Sequence, residues 1–256
     1  MFVEYEGTSY HGFQIQPNDV TIQEELEKAL NKIVRKKIRL DFAGRTDSGV
    51  HALSQVVAFD VEDDIGMHTY VNGTNHYLPE DISVKCCHKV SDDFDPRRDA
   101  VSRHYRYSLL LDKSRSPLTR KYLHRISNNI DLDLMKSASK IMVGTHDFKF
   151  FSTASKDQIL STIRTIFSMD INLNDKIVDV DVVGNAFLTS QVRRMVAVLI
   201  EIGQGKFSEL DLKNMLNLET EQKHSVNTLP PQGLCLVEVK YEGFSHEVSG
   251  KYGCEI

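Results

Sequence analysis

The chain has 256 residues, 41% of them hydrophobic and 26% charged, and a net charge of −5. That length suits one large domain or two modest ones, and no apolar run approaches the roughly 20 residues that span a bilayer. The composition therefore points to a soluble protein that lies inside the cell, in cytoplasm or mitochondrion, with no membrane association, and the acidic balance argues mildly against a nucleic-acid partner.

The opening "MFVEYEGTSYHGF" is strand-like from its first residues and carries no basic leader or cleavage site. A buried first strand usually has a few residues in front of it, so further chain upstream of Met1 is left open. Thr21 followed three residues later by Glu24 forms a capping box. Ile22, Leu26, Leu30 and Ile33 then recur at helical spacing and predict an amphipathic helix over 22–36. Ile38, Leu40 and Phe42 alternate as a strand that enters the polar stretch "AGRTDSGVHAL", and the β-branched "SQVVAFDV" leaves it as a second strand. Asp47 therefore sits in a loop displayed between two strands, where functional side chains are commonly held.

"DISVKCCHKV" reads as a further strand, and the pattern breaks near Phe94–Arg98, where a domain boundary is expected. "SRHYRYSLLL" resumes as a strand. Leu132, Met135, Ala138 and Met142 mark a helix ending at Gly144, and "TIRTIFSMDINL" with "KIVDVDVVG" reads as a strand pair. Leu188, Val192, Met195, Leu199 and Ile202 form the apolar stripe of a core helix from Phe187 to Ile202, closed by "GQG". A last strand, "LCLVEVKYE", follows the turn "LPPQG". The expected architecture is α+β: two sheet-and-helix lobes, residues 1–96 and 97–256, with a central cleft and mainly antiparallel, ferredoxin-like halves.

The four cysteines, Cys86, Cys87, Cys235 and Cys254, have no zinc-ligand spacing, and the ten histidines contain no His-x-x-x-His pair. Reduced intracellular thiols and no metal site are the expectation. Charge is unevenly spread. The segment 96–125 holds nine lysines and arginines against two acids, a local +7 on a chain whose remainder carries −12. Such a belt can bind phosphates whatever the net charge, because field and contact are local at physiological salt. A solvated charged surface is the plainer reading of it.

An aspartate has a pKa of about 3.9, so Asp47 is an anion at neutral pH and needs only access and geometry to act as a nucleophile. Burial under a substrate can raise a carboxyl pKa by about 3–5 units, roughly 4–7 kcal/mol. One cation at about 4 Å offsets roughly 4 kcal/mol of that at an effective dielectric near 20. Arg45, two residues away, and Arg193, in the apolar helix "FLTSQVRRMVAVL", are the candidates. Arg193 is preferred, since a charge in an apolar helix needs a partner. Snorkelling to solvent is the other reading of that residue. An isolated Thr-Asp-Ser-Gly would be read as an ordinary turn.

The whole string "AGRTDSGVHALSQV" resembles the signature of the tRNA pseudouridine synthase A family. "EYEGTSYHGFQIQ", "TIQEELEKAL", "NGTNHYLPEDISV", "FDPRRDAVSRHYRYSL", "VGTHDFKFF", "TIRTI", "NAFLTSQVRRMV" and "LPPQGLCLVEVKY" are similar to other family blocks in the same order. The resemblance implies an isomerase that converts uridine to pseudouridine in the anticodon stem-loop of tRNA, without cofactor, as a homodimer. It implies Asp47 as nucleophile, Arg193 as its ion-pair partner, Arg45 as the residue that displaces the target base, and Tyr105 as the platform for the uracil. Tyr107 shares the strand face of Tyr105 and is the alternative core aromatic. Arg97, Arg98, Arg103 and Arg106 fall where the basic belt would contact the RNA backbone.

Three positions depart from the pattern. Phe13 stands where many relatives have tryptophan, Ile15 where a polar residue is usual, and "LTSQ" lacks the aromatic or histidine residues often found before Val192. The wording "QVRRMVAVLIEIGQG" resembles eukaryotic members, including a mitochondrial-type branch. The departures motivate an alternative, a catalytically impaired RNA-binding paralogue of the same fold. A third reading is a two-lobed structural protein whose Asp47 only caps a turn.

Overall fold

A computed structural model describes residues 1–61, 65–153, 161–217 and 226–243, and Cys254 lies outside them. The chain divides into two compact units: Met1–Val101 together with the segment from Cys235 onward, and Ser102–Leu234.

In the first unit β1 (Phe2–Tyr5) lies between β3 (His51–Ala58) and β4 (Ile82–Cys86), antiparallel to both. The two-residue β2 (Asp41–Phe42) pairs with β3 in an antiparallel hairpin, and β10 (Leu234–Lys240) joins β3 in parallel, Cys235 opposite His51. Helix α1 (Ile22–Val34) forms as its cap predicts, with Thr21 Oγ1 accepting the Glu24 N–H at 3.4 Å. It buries Ile22, Leu26 and Leu30. The stretch 38–40 is not a sheet strand. It is tied instead to α1, where the buried Glu27 carboxylate accepts the Leu40 N–H at 3.0 Å. Helix α2 (Met67–Tyr77) packs on α1 and β4 and gave no sequence signal. Gly66, with a φ of 84°, begins it without a side-chain cap, and its Thr, Asn, Gly and His residues are indifferent helix formers held there by packing.

The second unit is an antiparallel run of β5 (Ser102–Leu111), β9 (Ile177–Gly184), β8 (Ile163–Asn174) and β7 (Gly144–Asp147). The short β6 (His124–Ile126) lies parallel to β5 on its other edge. Helix α3 (Leu132–Ile141), capped by Asp131, packs on β8 and on α4 (Gln191–Gly203), and α5 (Glu209–Asn217) packs on α3. Helix α4 starts four residues later than its apolar stripe suggested, because Ser190 adopts a left-handed φ of 61° that interrupts the helix after Leu188. Alternation along β5 turns Arg103, Tyr105, Tyr107 and Leu109 inward and His104, Arg106 and Ser108 the other way. The architecture is thus mixed α and β with a mainly antiparallel sheet, as the sequence pattern indicates. No helix among the described residues is long and apolar enough to cross a membrane.

Candidate active site

The Asp47 loop connects β2 to β3 and is fastened from several directions inside the first unit. The hairpin continues through Ala43, whose N–H reaches Val56 O at 2.9 Å. Gln55, fully buried in β3, then donates from Nε2 to Gly44 O at 2.9 Å. Thr46 is buried, with its hydroxyl 2.8 Å from that of Tyr5, and its carbonyl accepts the Phe13 N–H at 3.1 Å. Asp47 opens a turn closed by the Val50 N–H on Asp47 O at 3.1 Å, with Gly49 at a φ of 77° in the position that needs left-handed backbone. Ser48 Oγ and the Gly49 N–H both donate to Tyr10 O, at 3.1 and 3.3 Å. The turn chemistry and the clamp leave the Asp47 side chain half-buried and Arg45 exposed.

Two glycines make this approach possible. A Cβ on Gly7 would lie 2.0 Å from Val50 O, and one on Gly12, whose φ is 88°, would lie 2.8 Å from Thr46 O. "EYEGTSYHGF" therefore lies against the loop by backbone contact, closer than any side chain would permit. Phe13 is fully buried, its ring 4.8 Å from that of Phe42, so it works as core beneath the loop. Ile15 is half-buried and its N–H donates to Gln23 Oε1 at 3.0 Å.

In the second unit, Tyr105 is 8% exposed and its ring meets Phe187 edge-on at 5.2 Å. Tyr107 is fully buried, donates from Oη to Pro230 O at 2.8 Å, and has its pKa pushed up by burial. Of the two tyrosines, then, the second is tied into the core. A Cβ on Gly233 would meet the Tyr107 ring at 2.7 Å, which fixes the turn "LPPQG" against β5. Arg193, in the first turn of α4, donates from Nε to Leu229 O at 2.7 Å and so grips the same turn. Its neighbour Arg194 lies over the Phe150 ring at 5.8 Å.

The basic belt does not form one surface. Arg97 and Arg98 are exposed on a turn organised by Asp95, whose carboxylate accepts both of their N–H groups, and the Arg98 guanidinium engages Asp99. Arg103 is buried and donates to Asn185 O at 2.7 Å. Arg106 faces away from Tyr105 and forks onto Asp181 of β9 at 2.9 and 3.3 Å, with His104 on the same carboxylate at 2.6 Å. Burial pushes the Asp181 carboxyl up, but His104 and Arg106 outweigh it, and its pKa falls below the usual carboxylate range. Arg115, Arg120 and Arg125 gather elsewhere, along the connection from β5 to β6.

Sequence reasoning passed over Gln55 and Phe187. Gln55 carried a signal, an amide amid β-branched residues in "SQVVAF", since a buried amide must find partners. Nothing local pairs Phe187 with Tyr105.

Residues 1–98 and 138–242 match the family model described as tRNA pseudouridine synthase. The match contains Asp47 and Arg193, whereas Tyr105 and the β5–β6 connection fall between its two parts. The chain is 43% identical over 241 residues to the tRNA pseudouridine synthase A of Geobacter sp. (strain M21), covering 94% of this chain and 97% of that one. It is 41% identical over 242 residues to the enzyme of that name from Citrifermentans bemidjiense, covering 94% and 96%. The corresponding figures for Thermoanaerobacter sp. (strain X514) are 38% over 239 residues, covering 93% and 97%.

Proposed function

The chain belongs to the tRNA pseudouridine synthase A family, and from that membership we propose that it isomerises uridine in the anticodon stem-loop with Asp47 as nucleophile. That it is an isomerase of the tRNA pseudouridine synthase type follows from the family itself. In the reaction the N1–C1′ bond of the uridine breaks, the freed base turns while it remains held, and C5 bonds to C1′. The proton leaving C5 is balanced by one gained at N1.

The observation that carries the proposal is the clamped turn. Asp47 is fixed through its own backbone, through Gln55 on Gly44, and through Tyr10 on Ser48 and Gly49. A carboxylate carried on backbone held in this way is presented from a fixed position, and such positioning is where a large share of catalytic advantage comes from. An aspartate that merely capped a turn would not need its neighbours buried and bonded on both sides.

The remaining roles follow from chemistry. Extruding the target nucleotide costs a few kcal/mol, and a base stacked on an aromatic ring recovers about 1–3 kcal/mol. Tyr105, braced by Phe187, is assigned that stacking role. Arg193, steadied by Leu229 O, is assigned to keep the Asp47 carboxylate ionised when the base excludes water, and exposed Arg45 to displace the base. Arg97 and Arg98 are assigned to backbone phosphates. Arg103 and Arg106 brace the strand of Tyr105 from its two faces and add to the positive field. The working form is a homodimer.

The test is direct. Wild type incubated with anticodon stem-loop RNA yields mapped pseudouridine, and Asp47→Asn yields none while its melting temperature stays within about 2 °C, as for substitutions outside the core. Product from Asp47→Asn at the wild-type rate would sink the assignment. A wild type that binds the RNA without product would mark an impaired paralogue instead.

A further inference from the structure

The connection between β5 and β6 is folded onto itself. Asp112 opens it, with its carboxylate accepting the Ser114 N–H at 2.9 Å and Lys176 Nζ at 2.7 Å. At the far end the Tyr122 and Leu123 N–H groups close on Thr119 O at 2.9 and 3.0 Å. Arg125 reaches back to the carbonyls of Asp112 and Lys113 at 3.3 and 3.1 Å. The fold of this loop shapes an open groove of about 360 Å³ with an apolar floor that includes Leu110 and Leu123.

Its walls have one sign of charge. Arg115, Arg120 and Arg125 line it, and no carboxylate among the described residues does. Asp112, the acid that follows β5, is engaged with Lys176 and is not among the lining residues. His124 also lines the groove, and burial first, then the Arg125 charge, pushes its pKa below the ordinary imidazole value. The ring is therefore neutral near pH 7, leaving three guanidinium groups as the charge. Thr119 is a lining residue too, but its Oγ1 is closed off from solvent and has no hydrogen-bond partner among the described residues.

The three guanidinium groups offer donors alone and carry the positive charge, and the ligand that answers them is an acceptor-rich anion. We propose that this groove holds a phosphate of the tRNA backbone, with the adjoining ribose over the apolar floor. The inference rests on the reading that the chain acts on tRNA, and deepens it by naming a backbone subsite outside the stretch the family model matches. Of the nine cations in the belt, these three are the ones the fold brings to this groove.

The experiment measures the affinity of the full chain for anticodon stem-loop RNA across a salt series, for wild type and Arg115→Gln/Arg120→Gln. Neutralising the pair is expected to weaken binding about tenfold, with kcat/KM falling by the same factor, and to reduce the slope of log affinity against log salt by about 1. Arg120 donates to Pro117 O at 3.1 Å, so the single variant Arg115→Gln, at a side chain with no hydrogen bond among the described residues, repeats the measurement where folding is not at issue. Unchanged affinity and slope in both arginine variants overturn the proposal. So does competition by uridine monophosphate at its own saturating concentration with no change in the RNA slope, since the groove would then serve a free nucleotide. If wild type itself makes no pseudouridine, the reading of function fails. If wild type is active and the arginine variants match it, only the subsite fails.

Discussion

Replacing Gly7 with alanine tests whether the Asp47 turn is positioned by backbone contact. The new methyl carbon would lie 2.0 Å from Val50 O and 2.7 Å from Val50 C, where ordinary contact begins at 3.4 Å. The obstacle is main chain, so no side-chain rotation relieves it, and one segment must give way by about 1 Å. Val50 closes the turn on Asp47 O, so the shift passes to the nucleophile. Overpacking of this kind costs about 1–3 kcal/mol, and a melting temperature falls about 2–4 °C per kcal/mol for a chain of this size. A displacement of about 1 Å at a reacting group costs on the order of 100-fold in rate. Turnover of anticodon stem-loop RNA under saturation, beside a thermal melt, reads both. The expected result is a loss in kcat far larger than the few degrees lost in stability. If Gly7→Ala retains wild-type kcat, the turn is not held as described and the argument from pre-organisation is wrong.

Gln55→Met leaves the Gly44 carbonyl without its donor, at about 1–3 kcal/mol, and should lower kcat together with the melting temperature; a variant of wild-type stability would show the amide to be dispensable. Tyr105→Phe keeps the stacking face and should retain activity, whereas Tyr105→Leu gives up about 1–3 kcal/mol and should lower kcat/KM by about 5- to 150-fold, measured with the same RNA. Asp181→Asn removes the negative charge shared by His104 and Arg106, at about 1.5–3 kcal/mol near neutral pH. The Asp181 pKa is lowered on folding, so its contribution is present above the unfolded value of about 4 and is lost as pH falls through the folded value. The stability gap between wild type and Asp181→Asn should therefore close in acid, and a gap independent of pH in denaturant titrations would count against the pair.

What the sequence alone determined is local. Thr21 and Glu24 marked the start of α1, the alternation in "SRHYRYSLLL" set which β5 residues face inward, and "GRTDSG" between two strands marked Asp47 as the residue to explain. Those signals lie within a few residues of one another, and backbone geometry alone makes them readable. The tertiary structure decided what depends on partners far along the chain. Helix α2 exists because α1 and β4 cover it, and β10 joins β3 from 184 residues away, Cys235 against His51. In the same way Gly7 and Gln55, in separate strands and loops, grip one turn, and Arg115, Arg120 and Arg125 line one groove while Arg106 is drawn to Asp181. A charge run reports how many cations a segment carries. Which of them face a ligand depends on where the fold has placed the carboxylates, and no local pattern contains that.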